Sequence, residues 1–393
     1  MSHTHDIIVT GLGPAGAMAG ATLARAGAKV LILAGQPGHV KPCGGCLSRR
    51  WDWLLRELGL PAWVWRHPVR RLWLAAPLQP PVHWQSREVG AYLVDRARFN
   101  QALAQAALEA GAEVIQARAR EALPRPGGFA VKSRVGDFSC GWLVAASGAG
   151  GAQALGLVPP QIGLLYRAIV EERPLPARLE PIMRDAALIE LGGVPGGYGW
   201  AFARGDTLNL GMGFWQGNGG PGGYSESTAG LARAYQKFIK RHGLEPAHGW
   251  RGWVIPCPDG KPPQVVSGRA CLAGDAAATG DPFLGEGMGQ ALYSGRLAAQ
   301  AILAGDLGQY QARMGGLWRE HRHGRLLARL IYGWPGLFQR LAQARPGAVE
   351  LGFNVLRGEL AQAGIWRALG AKLKGREPAL DLQARGYYSK HLN

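Results

Sequence analysis

The sequence predicts an α/β fold in which a parallel strand–helix–strand unit is interleaved with a mostly antiparallel β-sheet and followed by a helical C-terminal region. Three observations carry this expectation. Residues 6–10 (DIIVT) and 29–33 (KVLIL) read as short buried strands bracketing an Ala-rich helical run, the length a parallel crossover requires. Between about 155 and 260, short runs such as LLYRAIVEE, DAALIELGG and TLNLGMGF alternate with Gly and Pro turns, the pattern of an antiparallel sheet. Beyond about 305 the chain is helical in period and strongly basic.

Taken in order, the first strand ends at Thr10 and a helix runs from about Pro14 to Ala26, where Gly27 provides a stop. Segment 36–90 is rich in Pro, Trp and Arg and shows no clean period. Residues 96–110 are helical in pattern; Gly111 ends that helix and AEVIQA reads as another strand. Residues 129–146 alternate as a hairpin and then enter a buried strand, WLVAA. ACLAGDAA is a buried strand running into a turn and a helix. There is no fixed-period repeat.

With 393 residues, 47% hydrophobic and 18% charged, the chain is long enough for more than one structural unit and too apolar for disorder. The net charge of +17 favours anionic partners. There is neither zinc-finger spacing nor an arginine-rich arm, which sets nucleic acid aside. Five Cys, odd and sparse for this length, fit a reducing cytoplasm. The N-terminus lacks the basic segment and cleavage pattern of a signal peptide, and no unbroken apolar run is long enough to span a bilayer.

The first strand opens into Gly11-Leu-Gly13-Pro14-Ala15-Gly16. Gly11 permits the tight turn, Gly13 lets backbone approach a pyrophosphate, and Gly16 lets helix and strand pack closely. The helix start supplies N–H groups and a positive dipole end to phosphates. A Rossmann-like dinucleotide unit is therefore expected. Its usual ribose-binding carboxylate is absent: the second strand ends Leu33-Ala34-Gly35-Gln36, leaving Gln36 or backbone to take that role. Far downstream, Gly274-Asp275 ends another strand, followed by Asp281-Pro-Phe-Leu-Gly285-Glu286-Gly287-Met288. Alone, Asp275 serves equally well as an N-cap. Paired with the first motif, it points to FAD: the Asp accepts from a ribityl hydroxyl, and the helix start stabilises an anionic reduced ring.

At these residues the chain resembles the geranylgeranyl reductase family, flavoproteins built like para-hydroxybenzoate hydroxylase. The resemblance spans nearly the whole length. It rests further on Lys41-Pro-Cys43-Gly44-Gly45, Val94-Asp95-Arg96-Ala-Arg-Phe99, Pro195-Gly-Gly-Tyr198-Gly-Trp200-Ala-Phe202 and the late Pro346…Gly358-Glu359 stretch. It implies FAD, with Cys43, Gly44 and Arg96 among its contacts, and reduction of carbon–carbon double bonds in isoprenoid chains. It also implies an FAD-binding domain formed by 1–50, 91–154 and 265–305, a substrate domain of 51–90 with 155–264, and a helical region of 306–393. Three positions depart from the family pattern: Ala34 replaces an acid, Ala203 a Pro, and Ser147 the Asp of an Ala-Asp-Gly turn.

Tyr198, Trp200 and Phe202 fall at period two and share one face of a strand. Such a face is either an ordinary aromatic core or, as the resemblance implies, a wall against an apolar chain beside the flavin. Cys43-Gly-Gly-Cys46 has two readings: a redox dithiol, or a pocket Cys43 with a structural Cys46. Zinc is set aside, since no second pair exists. His321 and His323, among Arg313, Arg319, Arg322, Arg325, Arg329 and Arg340, read as a solvated or lipid-facing basic helix that attaches peripherally to an anionic membrane, placing the protein in the cytoplasm or at the inner membrane surface.

The leading expectation is an FAD-dependent reductase of an apolar isoprenoid or lipid substrate, phosphorylated or not. NAD(P)H or reduced ferredoxin is the transient donor, and Tyr198 or water the proton source. Three alternatives stand beside it: electron transfer through Cys43 and Cys46 to a redox protein partner in sulfur or lipoyl metabolism, a flavin monooxygenase, and a non-catalytic lipid carrier.

Overall fold

The fold is that of a computed structural model, described over residues 4–35, 40–157, 162–216, 227–245, 249–258 and 262–374. Strand His5–Thr10 lies at the centre of one sheet and pairs in parallel with Val30–Ala34 and with the end of Asp137–Ala145. Glu113–Gln116 and Ala270–Leu272 extend the sheet in parallel on either side. The hairpin Ala119–Arg125/Gly128–Ser133 joins it antiparallel through Asp137–Ala145. The central strands are continuous apolar runs, as a sheet covered on both faces demands.

Helix Pro14–Arg25 packs against helix Met288–Leu303. The approach is close because residue 295 is Gly: a Cβ there would stand 2.1 Å from the Ala15 carbonyl oxygen. This crossing brings the two glycine motifs, remote in sequence, to one end of the sheet.

The second sheet has the order Arg251–Pro258, Ile162–Pro174, Thr207–Gln216, Gly197–Arg204, Ala186–Leu191, Arg71–Ala76, Gln79–Gln85. Its pairings are antiparallel except for that between Ala186–Leu191 and Arg71–Ala76. Segment 36–90, which showed no period, thus supplies two of these strands, the helix Asp52–Glu57, and strands Cys46–Ser48 and Pro68–Val69 that flank Ala91–Leu93. These elements are too short to build a periodic signal, and Pro80 and Pro81 are tolerated because Gln79–Gln85 is an edge strand.

Side chains alternate across this second sheet. Leu208, Leu210, Met212 and Phe214 pack on helix Thr228–Arg241 through Leu231, Tyr235 and Phe238. Tyr166, Val170, Trp200 and Phe202 face the other way, toward Tyr332, Ala342 and Phe353 of the C-terminal helices. Those helices are Leu307–Gly333, Pro335–Ala344, Glu350–Arg357 and Ile365–Leu373. Pro335 ends the long helix by starting the next, and Gln339 fixes the new one to the sheet edge through the carbonyls of Leu74 (3.1 Å) and Pro80 (2.7 Å).

His321 does not face solvent or lipid; it is 3% exposed and lies within electrostatic reach of Asp281 and Arg50. Burial, with Arg50 beside it, lowers its pKa to about 4 despite the opposing effect of Asp281, so the ring is neutral at pH 7. Among the described residues, no helix is long and apolar enough to cross a membrane.

Candidate active site

A cavity of 1730 Å³ runs from the first glycine turn, past the junction of the two sheets, to the C-terminal helices. Gly11, Gly13, Pro14, Ala15, Cys43, Gly44, Cys46, Arg96, Tyr198, Trp200, Phe202, Gly274, Asp275, Gly285, Gly287 and Met288 all line it. Gly16 lies behind the wall, where a Cβ would stand 1.9 Å from the Gly11 carbonyl oxygen. Gln36 lies outside the described residues.

The dinucleotide end fits FAD. Gly11 has φ +94°, and a Cβ on it would strike the Ala146 carbonyl at 2.5 Å, so the turn is closed to other residues. At Gly13 a Cβ would meet nothing within 4 Å, which leaves open space over the helix start for a pyrophosphate. The N–H groups of Ala15 and Gly16, in the first helical turn, have no intrahelical acceptor. Arg96 Nε and Asn100 Oδ1 are buried at the wall without a protein partner, as groups that await a polar ligand would be. Asp275 is the second residue of the 3₁₀ turn Gly274–Ala277 and pairs with Lys41 at 2.5 Å. A carboxylate and an ammonium therefore face the region where the ribityl and pyrimidine parts of the flavin would lie. Ser147 Oγ donates to Thr10 Oγ1 at 2.8 Å and ties the turn to the first strand.

The aromatic wall follows from the alternation of strand Gly197–Arg204. The Tyr198 and Trp200 rings are 5.9 Å apart and the Trp200 and Phe202 rings 6.2 Å. Gly211 and Gly213 on the neighbouring strand make room: Cβ atoms there would overlap Trp200 and Tyr166. Trp200 Nε1 donates to Asn209 Oδ1, and Asn209 Nδ2 donates to the Cys43 carbonyl, both at 2.9 Å. Gly44 lies flat on the wall, where a Cβ would be 3.1 Å from Trp200 Nε1. Asn209 thus joins the aromatic wall to the cysteine loop, a role nothing in its local sequence announces.

Tyr198 is stacked between Tyr166 and Tyr332, with ring centroids 5.7 Å from each. The Tyr198 hydroxyl donates to the Leu284 carbonyl at 2.6 Å, and Tyr332 donates to the Phe283 carbonyl. The Tyr166 hydroxyl, buried at the cavity wall, has the Tyr198 hydroxyl as its neighbour. Burial raises the pKa of Tyr166 and Tyr198, so both stay protonated at neutral pH. Tyr166 and Tyr332 carried no sequence signal of their own.

The 281–287 loop rests on a buried charge cluster. Asp281 Oδ1 accepts from the N–H groups of Phe283 (2.8 Å) and Leu284 (3.0 Å). Arg50 bridges Asp281 and Glu286, 3.0 Å from each. Ser48 Oγ donates to Glu286 at 2.7 Å and Gln362 Nε2 to Asp281 at 2.8 Å. Burial pushes the Asp281 pKa up, but Arg50, His321 once it is protonated in acid, and the Leu284 and Phe283 N–H groups outweigh it and hold it below the usual range.

Cys46 lies at the foot of the same cluster. Burial first, then Glu286 and Cys43, push its thiol far above the usual range. Cys43 Sγ accepts from the Gly45 N–H at 3.4 Å.

No family model matches the chain. It is 30% identical over 323 residues to the digeranylgeranylglycerophospholipid reductase of Methanosphaerula palustris, with 77% of each chain covered. It is 28% identical over 406 residues to the menaquinone reductase of Mycolicibacterium smegmatis, covering 94% of this chain and 97% of that one. Among solved structures, a geranylgeranyl bacteriochlorophyll reductase-like protein from Thermoplasma acidophilum superposes with a TM-score of 0.68 at 21% identity, covering 97% and 94% of the two chains. The flavin-dependent brominase Bmp2 superposes at 0.70 with 17% identity, covering 95% and 100%. Both structures share the fold. The relative at 30% identity shows that the chain belongs to the geranylgeranyl reductase family, and it is an FAD-dependent oxidoreductase.

Proposed function

We propose that the protein reduces carbon–carbon double bonds in an isoprenoid chain carried by a membrane lipid, with electrons from NAD(P)H or reduced ferredoxin. One observation carries the reading: the dinucleotide groove and an apolar arm are a single cavity. The arm runs between the second sheet and the C-terminal helices, walled by Leu72, Leu74, Ile189, Leu191, Phe338 and Leu341. A long hydrocarbon offers only dispersion and apolar burial for recognition, and this arm offers the same. The relatives' names agree with it, since they include reductases of a digeranylgeranylglycerophospholipid, of geranylgeranyl diphosphate and of menaquinone.

FAD, where bound, would supply the electron pair as hydride. The chain's own residues supply the rest. Tyr198, Trp200 and Phe202 orient the alkene and exclude water. Asp275, Lys41 and the Gly13–Ala15 turn hold the dinucleotide. Tyr166 holds the proton for the second alkene carbon, because Tyr198 commits its own to Leu284. The high thiol pKa of Cys46 weighs against a dithiol relay to a partner protein.

The test is anaerobic. FAD-loaded protein, reduced by NADPH, NADH or ferredoxin, is mixed with a geranylgeranyl-bearing phospholipid and, separately, with its saturated analogue. Reoxidation of the flavin by the unsaturated lipid alone, with each saturated bond gaining a pair of hydrogen atoms, is the expected result. Reoxidation only by oxygen, with oxygen added to the substrate, would overturn it in favour of a monooxygenase.

A further inference from the structure

We infer that the turn between helices Leu307–Gly333 and Pro335–Ala344 is the face that docks on an anionic bilayer and through which the hydrocarbon arm is loaded. The inference deepens the reading of a lipid-borne substrate, and its loading half rests on that reading. Three large apolar side chains stand in solvent within this short stretch: Leu326 is 46% exposed, Trp334 64% and Leu337 52%. No packing need explains a Trp held out at a helix–helix turn, and an exposed aromatic–aliphatic group of this size is the signature of an interaction site.

The charges around the turn specify the partner. Arg319, Arg322, Leu326, Arg329 and Gly333 recur at alternating spacings of three and four residues, so they form one exposed stripe that ends at Trp334. Arg340 and Arg345 are exposed on the far side of the turn. From Leu307 to Arg345 the one carboxylate is Glu320, which accepts from the backbone N–H of Gln362 at 3.0 Å, so the stretch is strongly cationic. A helix with a cationic stripe, apolar residues interleaved in it and a terminal Trp matches the layering of a bilayer surface: phosphates for the guanidinium groups, the headgroup boundary for the indole, acyl chains for Leu337. An acidic protein would satisfy the arginines but not Trp334 and Leu337. A second copy of this +17 chain would place like charges together.

The inner face of the same turn gives the docking a purpose. Ile331, Tyr332, Phe338, Leu341 and Ala342 line the cavity, so one pair of helices walls the hydrocarbon arm inside and carries the lipid-seeking residues outside. An isoprenoid tail that leaves the bilayer here would have a short path to the arm and would stay out of water throughout.

The test uses the full chain with FAD bound. Sedimentation with phosphatidylglycerol/phosphatidylcholine vesicles at low salt is expected to carry the protein down. Phosphatidylcholine alone, or high salt, is expected to leave it in solution. A W334A/L337A variant is expected to lose at least tenfold in vesicle partitioning, and R319E/R322E to lose the preference for anionic lipid. Both should turn over a short detergent-dispersed isoprenoid at the native rate and lose turnover of the same chain presented in vesicles. Native protein that stays in solution at low salt, or variants that sediment as the native does, would overturn the docking. So would a native dimer that W334A/L337A makes monomeric. If vesicle binding holds while neither presentation of the alkene is reduced, the docking stands and the substrate reading fails.

Discussion

Tyr198 donates its hydroxyl to the carbonyl of Leu284 at 2.6 Å, and the loop this bond anchors carries Gly285 and Gly287 to the cavity. The bond ties the aromatic wall to the segment that would lie along the flavin. Tyr198→Phe removes one buried hydrogen bond, worth about 1 kcal/mol, and leaves a carbonyl unsatisfied. FAD affinity should fall roughly five- to tenfold on that scale, as read by quenching of flavin fluorescence.

Tyr166→Phe separates holding from chemistry. The Tyr166 hydroxyl meets that of Tyr198, and its removal leaves the Tyr198–Leu284 bond that anchors the loop, so FAD affinity and melting temperature should stay near the native level. Alkene turnover should fall by about a hundredfold or more, in line with the loss of a positioned general acid. Full activity in Tyr166→Phe would move the proton source to water.

Arg50 bridges Asp281 and Glu286 in the interior. Arg50→Ala strands two carboxylates out of water and should cost about 3–5 kcal/mol, read from urea unfolding of the FAD-free protein. The folded pKa of Asp281 lies below its ordinary 3.8. Its contribution to stability is therefore complete above about pH 4 and is lost as pH falls through the depressed value. Asp281→Asn should lower stability at pH 7 and flatten that acid limb; an unchanged limb would assign it to other carboxylates.

The Cys46 thiol is held protonated by burial beside Glu286. Cys46→Ala should keep turnover within about twofold, since a thiol that does not ionise is a poor nucleophile. Titration with a thiol reagent in denaturant should count the same number of free thiols before and after flavin reduction. Two additional thiols on reduction would restore the dithiol relay.

The legible parts of the molecule are those whose chemistry is local. The Gly11–Gly16 turn could be read because each glycine answers a steric demand within a few residues of itself. The wall of Tyr198, Trp200 and Phe202 could be read because a strand repeats every second residue. The buried cluster could not: Arg50 and Asp281 are 231 positions apart, and in its local sequence Asp281 is one more residue of a glycine-rich turn. Tyr166 and Tyr332 reach Tyr198 from a strand and a helix that no local pattern pairs. His321 departs from the expected solvent-facing helix for a geometric reason. Two residues along a helix turn it by about 200°, so the residue after next to exposed Arg319 points inward.

Ala34 offers the sharpest test of where the dinucleotide lies. It ends the strand Val30–Ala34 in register with Gln116 and is buried at the cavity wall. In related dinucleotide folds a carboxylate near this strand end accepts from the adenosine ribose. This chain leaves the place apolar, with Arg118, Arg120 and Arg134 lining the same cavity. Ala34→Glu would restore a charge-assisted hydrogen bond, worth about 1.5–3 kcal/mol, with cations nearby to offset the cost of burying the charge. FAD should bind at least roughly tenfold more tightly on that scale, while FMN, which lacks the adenosine, should bind as before. Equal gains for both flavins would mean that the new carboxylate acts on the fold rather than on the ribose. A loss for FAD alone would place the ribose hydroxyls away from this strand end, with the open space over Gly13 still free to take the pyrophosphate.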